Sequence, residues 1–507
     1  MINEVGREKK PADFYIFVGN FLIICLVLGT FVFNKHYSSD DFFCYYDQNG
    51  EADAVIFSSY RIVLGIVYMI LSYLKINVVT HQIIFGIFML MCFACSVTLI
   101  TITIKNIMLK KGKDINVLFL SALNIGSLML IVNVFISEWV WFSLGYIQWG
   151  ISVLFSVLGA VYFIKGSIKN YIVSFTSLFF AAGCYQISIS IYVYVVLLFI
   201  LCTENGKISA ILVKDTIKAA LPAIFSIIIN VVFTKILVLW GWGFSGGRIS
   251  FSVKSIIDKS NMLWKNEIEI WKNGMGLLPQ YFMSIVGILY FLLIIYSLLH
   301  CKVKWNFIAI AISVLAGTGV MCMPVLLQDS FYQPARMIVP IGCVFLVLHI
   351  CVVIMNLDGK KFMLQCTVIL GIFYLGINFI EIQKNSIDGL KTCSLEEKEV
   401  DDILKYIEAY EEENNCVVDT VAFDKDEYPT YKYYNEIQSL NYGGEMSTRA
   451  ILVDWSDIQL LNFYSGKNYN KIINEETKSK FEKSNYDYFS VREQIYIEGN
   501  IAYISLY

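Results

Sequence analysis

Residues 83–104 read IIFGIFMLMCFACSVTLITITI, a run without a single Asp, Glu, Lys or Arg. A helix needs about 20 apolar residues to cross the hydrocarbon core of a bilayer, and a helix satisfies its own backbone there. Similar charge-free runs occupy Phe14–Phe33, Val117–Ile136, Tyr281–Leu299, Phe307–Val325 and Met337–Met355. Because 57% of the 507 residues are hydrophobic and only 16% are charged, we predict an α-helical polytopic membrane protein.

Lysines cluster in the short loops between these runs. In membrane proteins such loops face the cytoplasm, so these lysines predict the orientation of the chain. The clusters are Lys105, Lys110, Lys111 and Lys113; Lys165 and Lys169; Lys207, Lys214 and Lys218; Lys302 and Lys304; Lys360 and Lys361. The basic residues before Phe14 place the N-terminus in the cytoplasm, and Phe14–Phe33 is too long for the apolar core of a cleaved signal.

Two segments leave the exact path open. Ile62–Leu74 is short for an ordinary span, so it either crosses the membrane, or lies in the interface or re-enters. Tyr171–Cys202 is interrupted at Gly183–Gln186 and is predicted to be a hairpin of two helices whose turn faces outward. Both interpretations give about eleven transmembrane helices and place residues 34–60 and the C-terminus outside the cytoplasm.

The chain changes character after residue 380. Residues 381–507 hold 25 acidic and 13 basic residues, a net charge of −12, whereas residues 1–380 hold 17 and 26, a net charge of +9. Apolar residues spaced for one face of a helix run from Leu395 to Tyr410. The segments Val417–Phe423, Ala450–Trp455, Gln494–Glu498 and Ile501–Leu506 have the composition of strands. We therefore predict a transmembrane domain over 1–380 and a small extracytoplasmic α/β domain over 381–507.

Asp40 and Asp41 follow the first predicted span by a few residues. Adjacent carboxylates at a membrane surface could serve as a general base or bind a metal ion. They could equally belong to a solvated loop, or cap a helix together with Ser38 or Ser39. His36 is a further candidate to assist them. The four histidines are too scattered to predict a metal centre.

Three other charged residues lie at predicted outer ends of spans. Arg61 could bind a phosphate or simply anchor its helix at the interface. Glu138 lies among aromatic residues that form either an interfacial belt or a platform for a sugar ring. Arg336, together with Arg248 and Lys254 of a long outer loop, supplies positive charge suited to a lipid phosphate.

The order of several short motifs resembles the type II glucosyltransferases that modify bacterial surface polysaccharides, membrane enzymes of the GT-C class. The motifs are Ser39-Asp40-Asp41-Phe42, Arg61, Asn133 with Glu138 and Tyr146, Tyr185-Gln186 with Ser188, and Pro334-Ala335-Arg336. Three positions depart from the family pattern. Val134 stands in place of Pro, Tyr60 in place of Gly, and Gln148 in place of Asp.

The resemblance implies transfer of a hexose, glucose in that family, from a polyprenyl-phosphate carrier to an outer polysaccharide. Asp40 or Asp41 would be the catalytic base, and Arg61 and Arg336 would bind the phosphate. Glu138, Tyr146, Tyr185 and Gln186 would contact sugar or acceptor. The resemblance implies no cofactor with certainty and leaves a divalent cation open. The competing hypotheses are a transporter or flippase of lipid-linked saccharides and a membrane scaffold whose tail binds a partner.

Overall fold

Helices make up most of the chain, as the charge-free runs predict. The computed structural model describes residues 10–46, 57, 59–242, 252–300, 305–357, 361–425, 431–434, 437, 446, 448–473, 476–482 and 486–506. The first nine helices described here are α1 (Lys10–Val32), α2 (Ser39–Tyr46), α3 (Ile62–Tyr73), α4 (Gln82–Lys110), α5 (Val117–Leu128), α6 (Ile136–Trp141), α7 (Tyr146–Ile164), α8 (Ile168–Cys184) and α9 (Ser188–Glu204). They are followed by α10 (Ala210–Leu239), α11 (Val253–Asn273), α12 (Phe282–His300), α13 (Phe307–Leu327), α14 (Gly342–Met355) and α15 (Lys361–Asn414).

Seven helices of the described ranges are long and apolar enough to cross a membrane. They are α1, α4, α7, α10, α12, α13 and the first part of α15. Four shorter apolar helices accompany them, namely α3, α5, α9 and α14 with the turn before it. The chain is therefore a helical membrane protein, while the number of crossings and the side that each loop faces stay predictions.

Both ambiguous segments have a clear local structure. The helix α3 ends after 12 residues, which at about 1.5 Å per residue is shorter than the ~30 Å hydrocarbon core. The predicted hairpin is confirmed, because α8 ends at Cys184 and α9 begins at Ser188. The short α3 favours the interpretation in which this segment does not cross the membrane.

The predicted run Val117–Ile136 is wrong as a single helix, because α5 ends at Leu128. Side chains then take over the hydrogen bonding of the buried backbone. Asn133 Nδ2 donates to the Leu130 carbonyl at 3.0 Å, and the Val134 N–H donates to Asn378 Oδ1 at 2.8 Å. Irregular backbone is tolerated at membrane depth only where protein groups satisfy it. Val134 therefore uses an N–H that the proline of the family pattern would lack.

The C-terminal region is an α/β unit, as predicted. Its elements are β1 (Thr420–Lys425), α16 (Asp457–Ser465), β2 (Asn470–Ile472), α17 (Val491–Gln494), β3 (Ile495–Glu498) and β4 (Ile501–Leu506). The strand order is β2-β1-β4-β3, with β1 parallel to β2 and β4, and β3 antiparallel to β4. Gly499, at φ +64°, makes the turn of the last hairpin.

The amphipathic second part of α15 packs on this sheet. The predicted apolar face is buried at Val400, Ile403 and Ile407, which share a core with β1 and β4. The predicted strand at Ala450–Trp455 is wrong, since Ala450–Leu452 forms a 3-10 turn. The N–H of Ile451 donates to Glu396 Oε1 at 3.0 Å instead of to a strand.

The long helix α15 joins the two parts of the chain. It runs without interruption from Lys361 to Asn414. The predicted domain boundary at residues 380 and 381 lies inside it, and the division into two domains stays a prediction.

Candidate active site

The first turn of α2 presents three successive side chains in three directions, because residues of an α-helix are about 100° apart around its axis. Asp40 is partly exposed, whereas Asp41 is fully buried and Phe42 is 2% exposed. The two aspartates that the sequence pairs therefore occupy different environments.

Asp41 is held by four hydrogen bonds. Its Oδ2 accepts from the N–H and the hydroxyl of Ser38, both at 2.7 Å. Its Oδ1 accepts from the Ser143 hydroxyl and the Leu144 N–H, both at 2.9 Å. A carboxylate offers about four acceptor sites, so Asp41 is saturated and ties α2 to the turn Ser143–Gly145. Burial raises the pKa of Asp41, and the hydrogen bonds from Ser38 and Ser143 act in the opposite direction.

Tyr68 is a residue of this region that the sequence reasoning missed. Its hydroxyl donates to the Leu144 carbonyl, so Asp41 and Tyr68 hold the same turn from two sides. The charges of Asp41 and Arg61 both act on this hydroxyl. The available signal was spacing, since Tyr68 follows Arg61 by two helical turns and lies on the same face.

Arg61 is positioned by the turn between α8 and α9. Gln186 Nε2 donates to the carbonyls of Ser59 and Tyr60, at 2.9 and 2.7 Å. The Arg61 guanidinium carbon lies 5.3 Å from the centre of the Tyr185 ring, a cation–π distance. Gln186 is therefore a residue that positions Arg61, and Tyr185 is in direct contact with it.

Tyr60 adopts φ +61°, in the left-handed region. This region costs a non-glycine residue roughly 1–2 kcal/mol. The same position is Gly in the family pattern, so this chain keeps the left-handed backbone without the residue that favours it.

Replacing Tyr60 with Gly is expected to raise the free energy of unfolding by roughly 0.5–1 kcal/mol. The relief of strain exceeds the entropy that Gly adds to the unfolded chain. Thermal unfolding in detergent measures the change, with Tyr73→Gly, in the exposed last turn of α3, as the control that should lose stability. A decrease for Tyr60→Gly would show that side-chain contacts of Tyr60 outweigh its backbone strain.

Glu138 and Arg336 form a buried ion pair. Glu138 is 0% exposed, and its Oε1 lies 2.6 Å from Arg336 Nη1, while its Oε2 accepts the Arg336 backbone N–H at 2.8 Å. Trp139 Nε1 donates to the Arg336 carbonyl at 2.9 Å. Arg336 Nη2 donates to the Tyr332 hydroxyl at 2.5 Å. Glu138 thus holds both the backbone and the guanidinium of Arg336, whose side chain keeps 18% exposure.

An aromatic cluster connects the two arginines, because Arg61 lies over Tyr185 and Trp139 donates to the Arg336 carbonyl. Trp139 and Trp149 stack at 4.9 Å, and Tyr185 meets Trp149 edge to face at 4.8 Å. Burial raises the pKa of Tyr185, and the positive charges of Arg336 and Arg61 both oppose that rise. The cluster therefore brings Arg61 and Arg336 into one region, although the two residues are far apart in the sequence.

Tyr146 is the first residue of α7. It is fully buried, and its hydroxyl donates to the Val140 carbonyl at 2.9 Å. His36 is also buried, and its ring nitrogens lie 2.9 and 3.0 Å from the carbonyls of Asn34 and Val140. Both residues therefore hold the helix α6, which carries Glu138, through the Val140 carbonyl, and Tyr146 does not line an open surface.

The structure thus brings most of the predicted site residues together. A continuous set of contacts runs from Arg61 through Tyr185, Trp149 and Trp139 to Arg336 and Glu138. Arg248 lies outside the described residues. Among those described, no three or more His, Cys, Asp and Glu side chains are placed to hold a metal ion, and a divalent cation stays an open prediction.

The apolar helices and this cluster of acidic and basic groups define a membrane protein with a candidate site for an anionic substrate. The chain belongs to the family Glucosyl transferase GtrII, whose family model matches residues 29–332. Membership implies a glucosyltransferase. The matched range contains every predicted site residue except Arg336. No curated protein and no solved structure matches the chain.

Proposed function

We propose that the protein transfers a hexose, in the first instance glucose, from a polyprenyl-phosphate carrier to a hydroxyl group of an extracytoplasmic cell-surface polysaccharide. The observation that carries this proposal is that Arg61 and Arg336 are joined by one aromatic cluster: Arg61 lies over Tyr185, and Trp139 of the same cluster donates to the Arg336 carbonyl. Guanidinium groups bind phosphate oxygens through charge-assisted hydrogen bonds. Apolar helices around such a site suit a prenyl chain.

The chemistry of the proposed reaction is a substitution at the anomeric carbon. The acceptor hydroxyl oxygen attacks C1 of the sugar and loses its proton to the Asp40 carboxylate. The bond between C1 and the phosphate oxygen breaks, and its electron pair leaves with the polyprenyl phosphate. Arg61 and Arg336 stabilise the negative charge that develops on that oxygen.

The division of roles between the two aspartates follows from their environments. Asp41 already accepts four hydrogen bonds and is fully buried, so it positions the segment. Asp40 is partly exposed and is the carboxylate that an acceptor hydroxyl can reach. Tyr185 and Trp149 are buried, so Tyr185 supports Arg61 through its ring, and Glu138 acts through Arg336.

The competing transporter hypothesis calls for ionisable residues that change partners within the spans. His349 of α14 is an ionisable residue at such a position. Its Nδ1 lies 2.8 Å from the Tyr290 hydroxyl, and its Nε2 lies 3.0 Å from the Ala122 carbonyl. Both ring nitrogens are thus engaged by neighbouring helices, which favours a structural role for His349.

The proposal is tested by sugar transfer with the full chain in nanodiscs. Radiolabelled polyprenyl-phosphate glucose and polysaccharide from cells that lack the protein are the substrates, and we expect label in the polymer. UDP-glucose replaces the lipid donor in a matched reaction and should give none. Label that stays on the lipid but reaches the opposite leaflet of a vesicle would support a flippase. Transfer from UDP-glucose instead would contradict the lipid-linked donor.

A further inference from the structure

The helix α2 is in contact with the C-terminal α/β unit through a cluster of aromatic rings. Its members are Tyr37, Phe42 and Tyr45 of the α2 segment and Phe463 and Tyr464 of α16. Phe463 lies 5.1, 5.4 and 4.9 Å from the ring centres of Tyr37, Phe42 and Tyr45. Phe42 also lies 5.4 Å from Tyr37 and 6.2 Å from Tyr464. These separations are typical of stabilising aromatic pairs.

Phe42 belongs to the hydrophobic core of the C-terminal unit. It is 2% exposed and shares a cluster with Val400 and Ile403 of α15 and Leu461 of α16. The Cys393 thiol of α15 makes a further contact, 3.5 Å from the Tyr37 carbonyl. The C-terminal unit therefore buries a side chain of the very turn that carries Asp40 and Asp41.

The opposite side of the same turn is attached to the transmembrane part. Asp41 receives hydrogen bonds from Ser143 and Leu144, at the start of α7. Phe42 and Asp41 are consecutive, so the two parts of the chain hold one helical turn from two directions. Asp40 directly precedes Asp41 and Phe42 in the same helical turn, so both attachments set the direction of its side chain.

We infer that the C-terminal α/β unit is a working part of the catalytic centre and that Phe463 is its main positioning residue. This inference rests on the proposed function, because it takes Asp40 as the base. The hydrogen bonds of Asp41 to Ser143 and Leu144 hold α2 at one side chain only. The aromatic contacts add a second point of attachment, which fixes the rotation of α2 about its axis. Displacements of about 1 Å at a reacting group can reduce a rate by about 10²-fold.

Phe463→Ala tests the inference, with the full chain in nanodiscs and the transfer reaction described above. We expect kcat to fall by about 10-fold or more, while KM for the lipid donor changes by less than about 2-fold, because Arg61 and Arg336 are untouched. Phe463→Leu should recover part of kcat by restoring apolar volume. Trp455→Ala, which removes an exposed aromatic residue of the same unit, is the matched control and should leave kcat unchanged.

Amide hydrogen exchange distinguishes a displaced α2 from a C-terminal sheet that no longer folds. In Phe463→Ala we expect faster exchange of the amides of residues 39–46, with residues 495–506 of the sheet protected as in the wild type. Faster exchange of both segments would mean that Phe463→Ala also disturbs the sheet. Phe463→Leu and Phe42→Leu then replace it, and a lower kcat with an intact sheet supports the inference. Wild-type kcat in any variant that keeps the sheet but lacks the aromatic contact would overturn it. Wild-type protein that transfers no sugar would refute the proposed function, whereas the exchange data would still decide whether the C-terminal unit holds α2.

Discussion

Replacing Asp40 with Asn is expected to lower kcat for sugar transfer by about 10²–10⁴-fold, the contribution typical of a positioned general base. The amide cannot take the proton of the acceptor hydroxyl, yet it has the size of the carboxylate. Because Asp40 is partly exposed in the first turn of α2, the fold should tolerate the change. KM for the lipid donor should change little, since the change leaves Arg61 and Arg336, the proposed phosphate ligands, untouched.

Two variants make this result specific. Asp401→Asn, at an exposed aspartate of α15 that pairs with Lys405, is the matched control and should retain wild-type kcat. Asp41→Asn should instead lower the thermal midpoint, because its amide group would face donors from Ser38 or Leu144 and leave a buried hydrogen bond unmade. Such a loss costs about 1–3 kcal/mol. Wild-type kcat in Asp40→Asn would remove Asp40 from the mechanism.

The helical part of the fold was predictable because a bilayer restricts what an apolar run can become. Runs such as Ile83–Ile104 coincide with helices, and the interruption at Gly183–Gln186 is the turn between α8 and α9. The early end of α5 was not predictable, because the acceptor for the Val134 N–H is a side chain 244 residues further along. Local composition carries no information about such a partner.

In the candidate site, too, the sequence indicated some features and only the fold provided the others. Charged residues next to spans drew attention to Asp40, Asp41 and Arg61 in the sequence. Their roles depend on partners that only the fold supplies: Asp41 meets Ser143 across 102 residues, and Gln186 reaches Tyr60 across 126. The sequence could therefore name the residues, while the fold separates a saturated carboxylate from an accessible one.

The contact between the C-terminal unit and α2 was the least predictable feature of the fold. Its acidic composition and strand segments indicated a separate domain, and nothing in that pattern connected Phe463 with α2. Aromatic residues are common both in the core of an α/β unit and at a contact between units. Only the ring distances between Phe463 and the α2 segment distinguish the two uses.

Replacing Glu138 with Gln is expected to lower the free energy of unfolding by about 3 kcal/mol, because removing one partner of a buried ion pair takes away much of the charge compensation of the other. Glu138 is 0% exposed and holds Arg336 through both carboxylate oxygens. Without the Glu138 carboxylate the Arg336 guanidinium should also lose its orientation. KM for the lipid donor should therefore rise together with the fall in stability. Thermal unfolding and transfer kinetics on the same preparation measure both effects.

The double variant Glu138→Gln with Arg336→Met decides whether Glu138 acts through Arg336. If it does, the double variant should regain much of the lost stability, because no unpaired charge remains, and its activity should be no lower than that of Arg336→Met alone. The interaction term of this double-mutant cycle then measures the coupling of the pair. A Glu138→Gln variant that stays as stable as the wild type but loses kcat would instead mean that Glu138 contacts the reacting sugar directly. In that case the second acidic group of the site would be Glu138, and the ion pair with Arg336 would have to open when substrate binds.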